Sequence, residues 1–149
     1  MGQKDELLRI ALALRTEADY FSAGWNINFL QAFIRDGGRC VYCGRDVMDE
    51  FCVACGDHLL PKGVYPALAQ NIDNLVAACA HCNVVKKDYD PSNGKGMETV
   101  LAEPVRQELI DKSKAEITRR KGEYARVFEV DKAAFARAMA EYRQCRRVC

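Results

Sequence analysis

Three features of the chain predict an α+β protein. Apolar residues recur at helical spacing near both ends, short strand-like segments broken by turn residues fill the middle, and two C-x-x-C pairs bracket that middle. At 149 residues the chain is most simply one domain, residues 1–149, with room for one sizeable core but not two. The pattern changes twice within it. Residues 1–38 read as N-terminal helices, 39–93 as a compact metal-stapled core, and 97–149 as C-terminal helices.

The first helix follows from Leu7, Leu8, Ala11, Leu12 and Leu14, a stripe that starts near Asp5 and runs to about residue 19 before Gly24 interrupts it. A second begins near Asn26 or Asn28, carries Phe29, Leu30, Phe33 and Ile34, and stops at Gly37-Gly38. Their aromatic residues read as core rather than as a platform for stacked bases. From Cys40 to about Asn93 the texture is different. Segments around Val41-Tyr42, Phe51 to Val53 and Leu75 to Ala78 suit strands or knuckle turns, with bends at Gly44, Gly56, Pro61-Lys-Gly63 and Pro66. A short helix follows Cys82 and ends before Pro91, and residues 90–96 form a loop by composition. Pro104 then opens a long helix to about Val127, and Asp131 caps a last one with Ala134, Phe135, Ala138, Met139 and Tyr142 on its apolar face.

Composition narrows the class. A hydrophobic fraction of 49% and a charged fraction of 29% are ordinary for a soluble globular protein. No apolar stretch approaches a membrane span, and the opening Met1-Gly-Gln-Lys-Asp-Glu lacks the apolar core of a signal peptide. Eight cysteines, six of them in three tight C-x-x-C pairs, without such a peptide point to metal ligation in a reducing, cytoplasmic setting rather than to disulfides. The net charge of +1 is unevenly spread: residues 1–104 carry ten basic and fourteen acidic side chains, residues 105–149 twelve and seven. A basic C-terminal third suits contact with phosphates, and equally a solvated helix face.

Cys40, Cys43, Cys79 and Cys82 supply the four thiolates that a tetrahedral structural zinc prefers, with 35 residues between the inner two closed into a loop. Cys52 and Cys55 complicate this. They could replace the first pair, or form a second site with Cys145 and Cys149; the simpler reading leaves these four as thiols. His81, inside the second pair, reads as filler rather than ligand.

The looped-out stretch contains Asp57-His58 and Asn74 and is followed by Asn83. Hydrolysing a phosphodiester requires an activated water and a cation that neutralises charge on the transition-state oxygens. A histidine titrating near neutrality can take the water proton, the candidate being His58. Asp57 offers a carboxylate and Asn83 a carbonyl oxygen, a sparse oxygen set of the kind a hard ion such as Mg²⁺ accepts. Each piece alone is commonplace. Order and spacing together carry the signal: C-x-x-C, D-H-x-x-P, N-L, C-x-x-C-N-x-x-K.

That order resembles the HNH endonuclease family, in particular its zinc-containing members with a four-cysteine knuckle, over Arg39 to Lys87, roughly a third of the chain. The resemblance implies a ββα-metal (His-Me finger) unit with a zinc knuckle. It implies His58 as general base, Asp57 as a ligand of the catalytic cation and Asn74 as the residue orienting the histidine. The last motif position falls nine residues after Asn74, at Asn83, which makes this the H-N-N variant. An amide oxygen there tilts the preference toward Mg²⁺ or Mn²⁺ over Zn²⁺ or Ni²⁺. The implied activity is metal-dependent endonucleolytic cleavage of DNA. Lys86 and Lys87 would meet backbone phosphates, and Arg106, Arg119, Arg120, Lys121 and Arg126 would track the duplex. One such unit nicks one strand, and a homodimer is one route to cutting both. Two other readings compete. A non-catalytic zinc-dependent nucleic-acid-binding module needs the knuckle but not Asp57, His58 and Asn83. A thiol-disulfide oxidoreductase needs a βαβ context that is not evident.

Overall fold

In the computed structural model the described residues are 2–17, 25–49 and 54–148, and the chain divides into two compact units, residues 1–117 and 118–149. The first unit contains helices α1 (Gln3–Glu17) and α2 (Ile27–Arg35), strands β1 (Ala54–His58) and β2 (Leu75–Cys79), helix α3 (Ala80–Lys86) and the start of α4 (Val105–Val148). The strands pair antiparallel, with Ala54 opposite Cys79 and His58 opposite Leu75. Helix α3 follows β2 directly. Two strands and a helix in that order are the ββα unit, and the predicted α+β class holds.

Local chemistry explains the boundaries. Asn26 caps α2, its side chain accepting from the Asn28 amide at 2.8 Å, and Gly37 and Gly38, both at φ +66°, let the chain reverse after it. Cys79 caps α3, its sulfur accepting from the Cys82 amide at 3.4 Å. β2 is buried along its whole length, and Leu59, Leu60, Phe33, Leu109, Ile110 and Ile117 join it in one core. Asp36 ties the layers together. Its carboxylate accepts from the Ala77 amide at 2.9 Å and pairs with Arg35 and Arg106.

Several expectations need correction. Gly56 is no bend: it pairs with Ala77 inside β1, and the position takes glycine because a Cβ there would fall 2.2 Å from Phe29 Cδ1. Asp57 and His58 close the ladder, opposite Val76 and Leu75. The two C-terminal helices are one helix of 44 residues, since Phe128-Glu-Val130 contains no breaker and Asp131 continues the turn. Arg106 does not track a duplex: it is buried against Asp36 and Glu103. The strand expected at 51–53 and the interruption at Gly24 lie outside the described residues.

The second unit is helical through Val148. Within it Phe128, Phe135 and Tyr142 are each more than half exposed. No helix among the described residues is long and apolar enough to cross a membrane.

Candidate active site

The cysteine knuckle comes first, because it fixes the frame. Gly44, at φ +75°, turns the chain so that its amide donates to the Cys40 carbonyl at 2.8 Å, while the Val41 amide donates to Ala77 in β2 at 3.0 Å. The turn therefore presents Cys40 and Cys43 to Cys79 and Cys82 at the β2–α3 junction. All four sulfurs lie within 4.8 Å of one another. Zinc–thiolate bonds of about 2.3 Å in a tetrahedron demand sulfur separations of roughly 3.8 Å. The Cys43 and Cys79 sulfurs stand 3.8 Å apart. Mutual hydrogen bonding drives the Cys40 thiol down to about 4 while pushing Cys82 up. Four thiols cannot ionise together at this spacing without a cation, the charge that a zinc ion would supply. The four cysteines are positioned to bind a zinc ion.

β1 carries Asp57 and His58 to one side of this knuckle. Asp57 is buried, its Oδ2 accepting from the Tyr42 hydroxyl at 2.6 Å and lying 3.2 Å from Lys86 Nζ. Tyr42 is a knuckle residue, flanked by Cys40 and Cys43. Burial and the Asp57 charge hold its phenol well above the ordinary range, so it remains a donor. Lys86 also donates to the His58 carbonyl at 2.8 Å. Its side chain is fully buried, which corrects its reading as a phosphate contact. A buried ammonium needs an opposite charge beside it, and Asp57 supplies one.

His58 is half-buried. Its Nε2 lies 3.1 Å from the Ala69 carbonyl, and its ring stands edge-on to Phe29 at 85°, with centroids 5.5 Å apart. A carbonyl can only accept, so Nε2 carries the proton and Nδ1 is left with its lone pair. Desolvation moves the imidazole below its ordinary value, against the opposing pull of the Ala69 carbonyl and Asp57, and Lys62 and Lys86 lower it further. Asn74 is fully buried and bonds to backbone: its Oδ1 accepts from Leu60 at 2.7 Å, and its Nδ2 donates to the Leu60 and Leu68 carbonyls at 3.0 and 3.2 Å. It thus clamps the 66–69 turn, whose Ala69 carbonyl meets the imidazole. Asn83, in α3, donates from Nδ2 to Cys55 Sγ at 2.9 Å.

Asp57, His58 and Asn83 line one cavity of about 440 Å³, together with Lys62, Lys87 and Asp88. Lys87 is a C-cap at φ +51°, a left-handed conformation that favours glycine and that a lysine adopts at a cost. Sequence reasoning missed Tyr42, Lys62, Cys55 and Asp88. Lys62 had a faint signal, following Pro61 in the motif; the other three depend on how β1 meets the knuckle and α3. Cys52 and Cys149 lie outside the described residues, and Cys145 is exposed in the second unit.

An antiparallel strand pair running into a helix, stapled by four cysteines and opening on an Asp-His-Asn cavity, defines a ββα-metal class of site. Residues 40–88 match the family described as HNH endonuclease, so this chain carries an HNH endonuclease domain. Such a domain implies a nuclease or nucleic-acid-related function. The chain is also similar to Septu protein PtuB of Bacillus thuringiensis, 38% identical over 52 residues. That stretch covers 35% of this chain and 20% of the relative, so the chain spans about a fifth of that protein's length. No solved structure matches.

Proposed function

We propose that the cavity is the centre of a metal-dependent DNA endonuclease. The observation that carries this is the convergence, in one cavity, of a buried carboxylate, an amide and an imidazole whose Nδ1 is unprotonated. In this reading His58 Nδ1 takes the proton of a water attacking phosphorus, and Ala69 holds the ring so that the lone pair is fixed in direction. Burial keeps the imidazole neutral at pH 7, the form a base requires. Asp57 Oδ1 and Asn83 Oδ1 would hold a divalent cation, and their hard oxygens suit Mg²⁺ or Mn²⁺. When bound, that cation neutralises charge gathering on the phosphoryl and leaving oxygens.

The remaining residues set the stage. Tyr42 and Lys86 anchor Asp57 through Oδ2, leaving Oδ1 for the cavity. Lys62 and Lys87 place positive charge on the cavity wall, where a phosphodiester would bind. Asn74 acts on His58 through the 66–69 turn, so it is a positioning residue. A zinc ion held by Cys40, Cys43, Cys79 and Cys82 would take no part in the chemistry and would keep Tyr42, β2 and α3 in register with β1.

Incubation of zinc-loaded protein with supercoiled plasmid tests the reading. Open-circle product that appears with Mg²⁺ or Mn²⁺ and vanishes with chelator is expected. Intact plasmid with both cations, from folded protein, would favour the non-catalytic nucleic-acid-binding alternative.

A further inference from the structure

An asparagine ligand presents a problem of direction. The two ends of its amide have nearly the same shape and opposite chemistry: Oδ1 can ligate a cation and Nδ2 cannot. Helix α3 delivers the Asn83 side chain to the cavity but does not choose which end faces it. A neighbour that accepts hydrogen bonds and donates none would make the choice.

We propose that Cys55 is that neighbour, a positioning residue that turns the Asn83 amide so that its oxygen is offered to the cavity. The inference rests on the reading of Asn83 as a cation ligand. Cys55 Sγ accepts from Asn83 Nδ2 at 2.9 Å. The thiol proton is directed at the Gly56 carbonyl, 3.3 Å away, so the sulfur meets the amide with its lone pairs. Cys55 and Asp57 are two apart in β1 and share a face of the strand. One strand thus supplies a ligand from its end and, one alternation earlier, the group that aims the second ligand across on α3. A sulfur acceptor is weak, so it fixes the rotamer without drawing the amide out of the cavity. Cys55 is partly buried and lines a second cavity with Phe29 and Trp25.

The test measures Mn²⁺ binding to the zinc-loaded full chain by electron paramagnetic resonance without DNA, beside thermal unfolding and zinc content. Cys55→Ala removes the acceptor, Cys55→Ser retains one, and Asn83→Ala removes the ligand. Loss of a group that orients a metal ligand typically weakens binding by roughly 10- to 100-fold. The expected result is Mn²⁺ affinity lowered about tenfold in Cys55→Ala and rescued in Cys55→Ser, with unfolding temperature and zinc content unchanged. Should Cys55→Ala unfold, Cys55→Val fills the volume without an acceptor and takes its place. Wild-type affinity in Cys55→Ala beside weakened Asn83→Ala overturns the role of Cys55 alone. Equal losses in Cys55→Ala and Cys55→Ser overturn it too. Wild-type affinity in Asn83→Ala overturns the ligand assignment beneath it.

Discussion

Lys86 and His58 show how much of this site depends on burial. The Lys86–Asp57 pair is almost wholly withdrawn from water, with side chains 1% and 8% exposed. Removing one member of a buried pair strands the other, at a cost of about 3–5 kcal/mol. Lys86→Met should therefore lower stability by about that amount in urea unfolding of zinc-loaded protein. A solvent-facing phosphate contact would lose affinity for DNA and little stability. His58 gives a pH dependence. Its folded value lies below the ordinary 6.5, so the basic form that accepts a proton fills as pH rises through that lower value. The nicking rate should climb on an acid limb centred below pH 6.5 and be level at neutrality. Stability follows the same sense: below 6.5 an unfolded His58 binds protons that the folded one does not, so folding weakens as pH falls. A rate profile with its limb above 6.5 would assign the titration to another group.

At the scale of elements, β1 and α3 do most of the positioning, and Gly56 is what lets them meet α2. Without a Cβ at Gly56, the Phe29 ring lies against the strand and stands edge-on to His58. Gly56→Ala would force that ring away. Overpacking of this kind costs about 1–3 kcal/mol, and nicking should fall with stability because the imidazole loses its wall. Chemical unfolding and plasmid nicking of the same variant check both. The sequence made β2, α3 and the knuckle readable, because C-x-x-C spacing and an Asn-Leu run into a cysteine pair are local signals. It hid the purpose of Gly56, which is set by a phenylalanine 27 positions earlier. It hid Lys86 likewise: two adjacent lysines look alike, yet α3 turns one inward to Asp57 and leaves the other on the cavity wall. The 44-residue helix was read as two, because Asp131 has the side chain of a cap and nothing local says it is not one.

The whole molecule pairs a metal-stapled unit with a basic helical segment. Four cysteines from two distant stretches bring the 40–43 turn to the β2–α3 junction, and a unit with so few strands needs the closure a zinc ion would give there. One zinc per chain is expected at these four sulfurs. Stripping it, or Cys82→Ser, should lower the unfolding temperature and abolish nicking together, because Tyr42 sits between knuckle cysteines and anchors Asp57. Residues 118–149 carry nine basic and four acidic side chains. If this segment meets DNA, neutralising Arg126 and Arg137 should flatten the slope of log affinity against log salt by about 2, near 0.9 for each phosphate no longer neutralised. An unchanged slope would leave the segment outside the DNA interface.

The claim on which the rest depends is that His58 is the base of a hydrolytic centre. Its most direct test is the rate of open-circle formation by His58→Ala beside wild type, in saturating Mg²⁺ at pH 7, with zinc content and fold verified in both. A fall of about 10²-fold or more is expected, the usual contribution of a positioned general base. Equal rates would contradict it, and would move the chemistry away from this cavity.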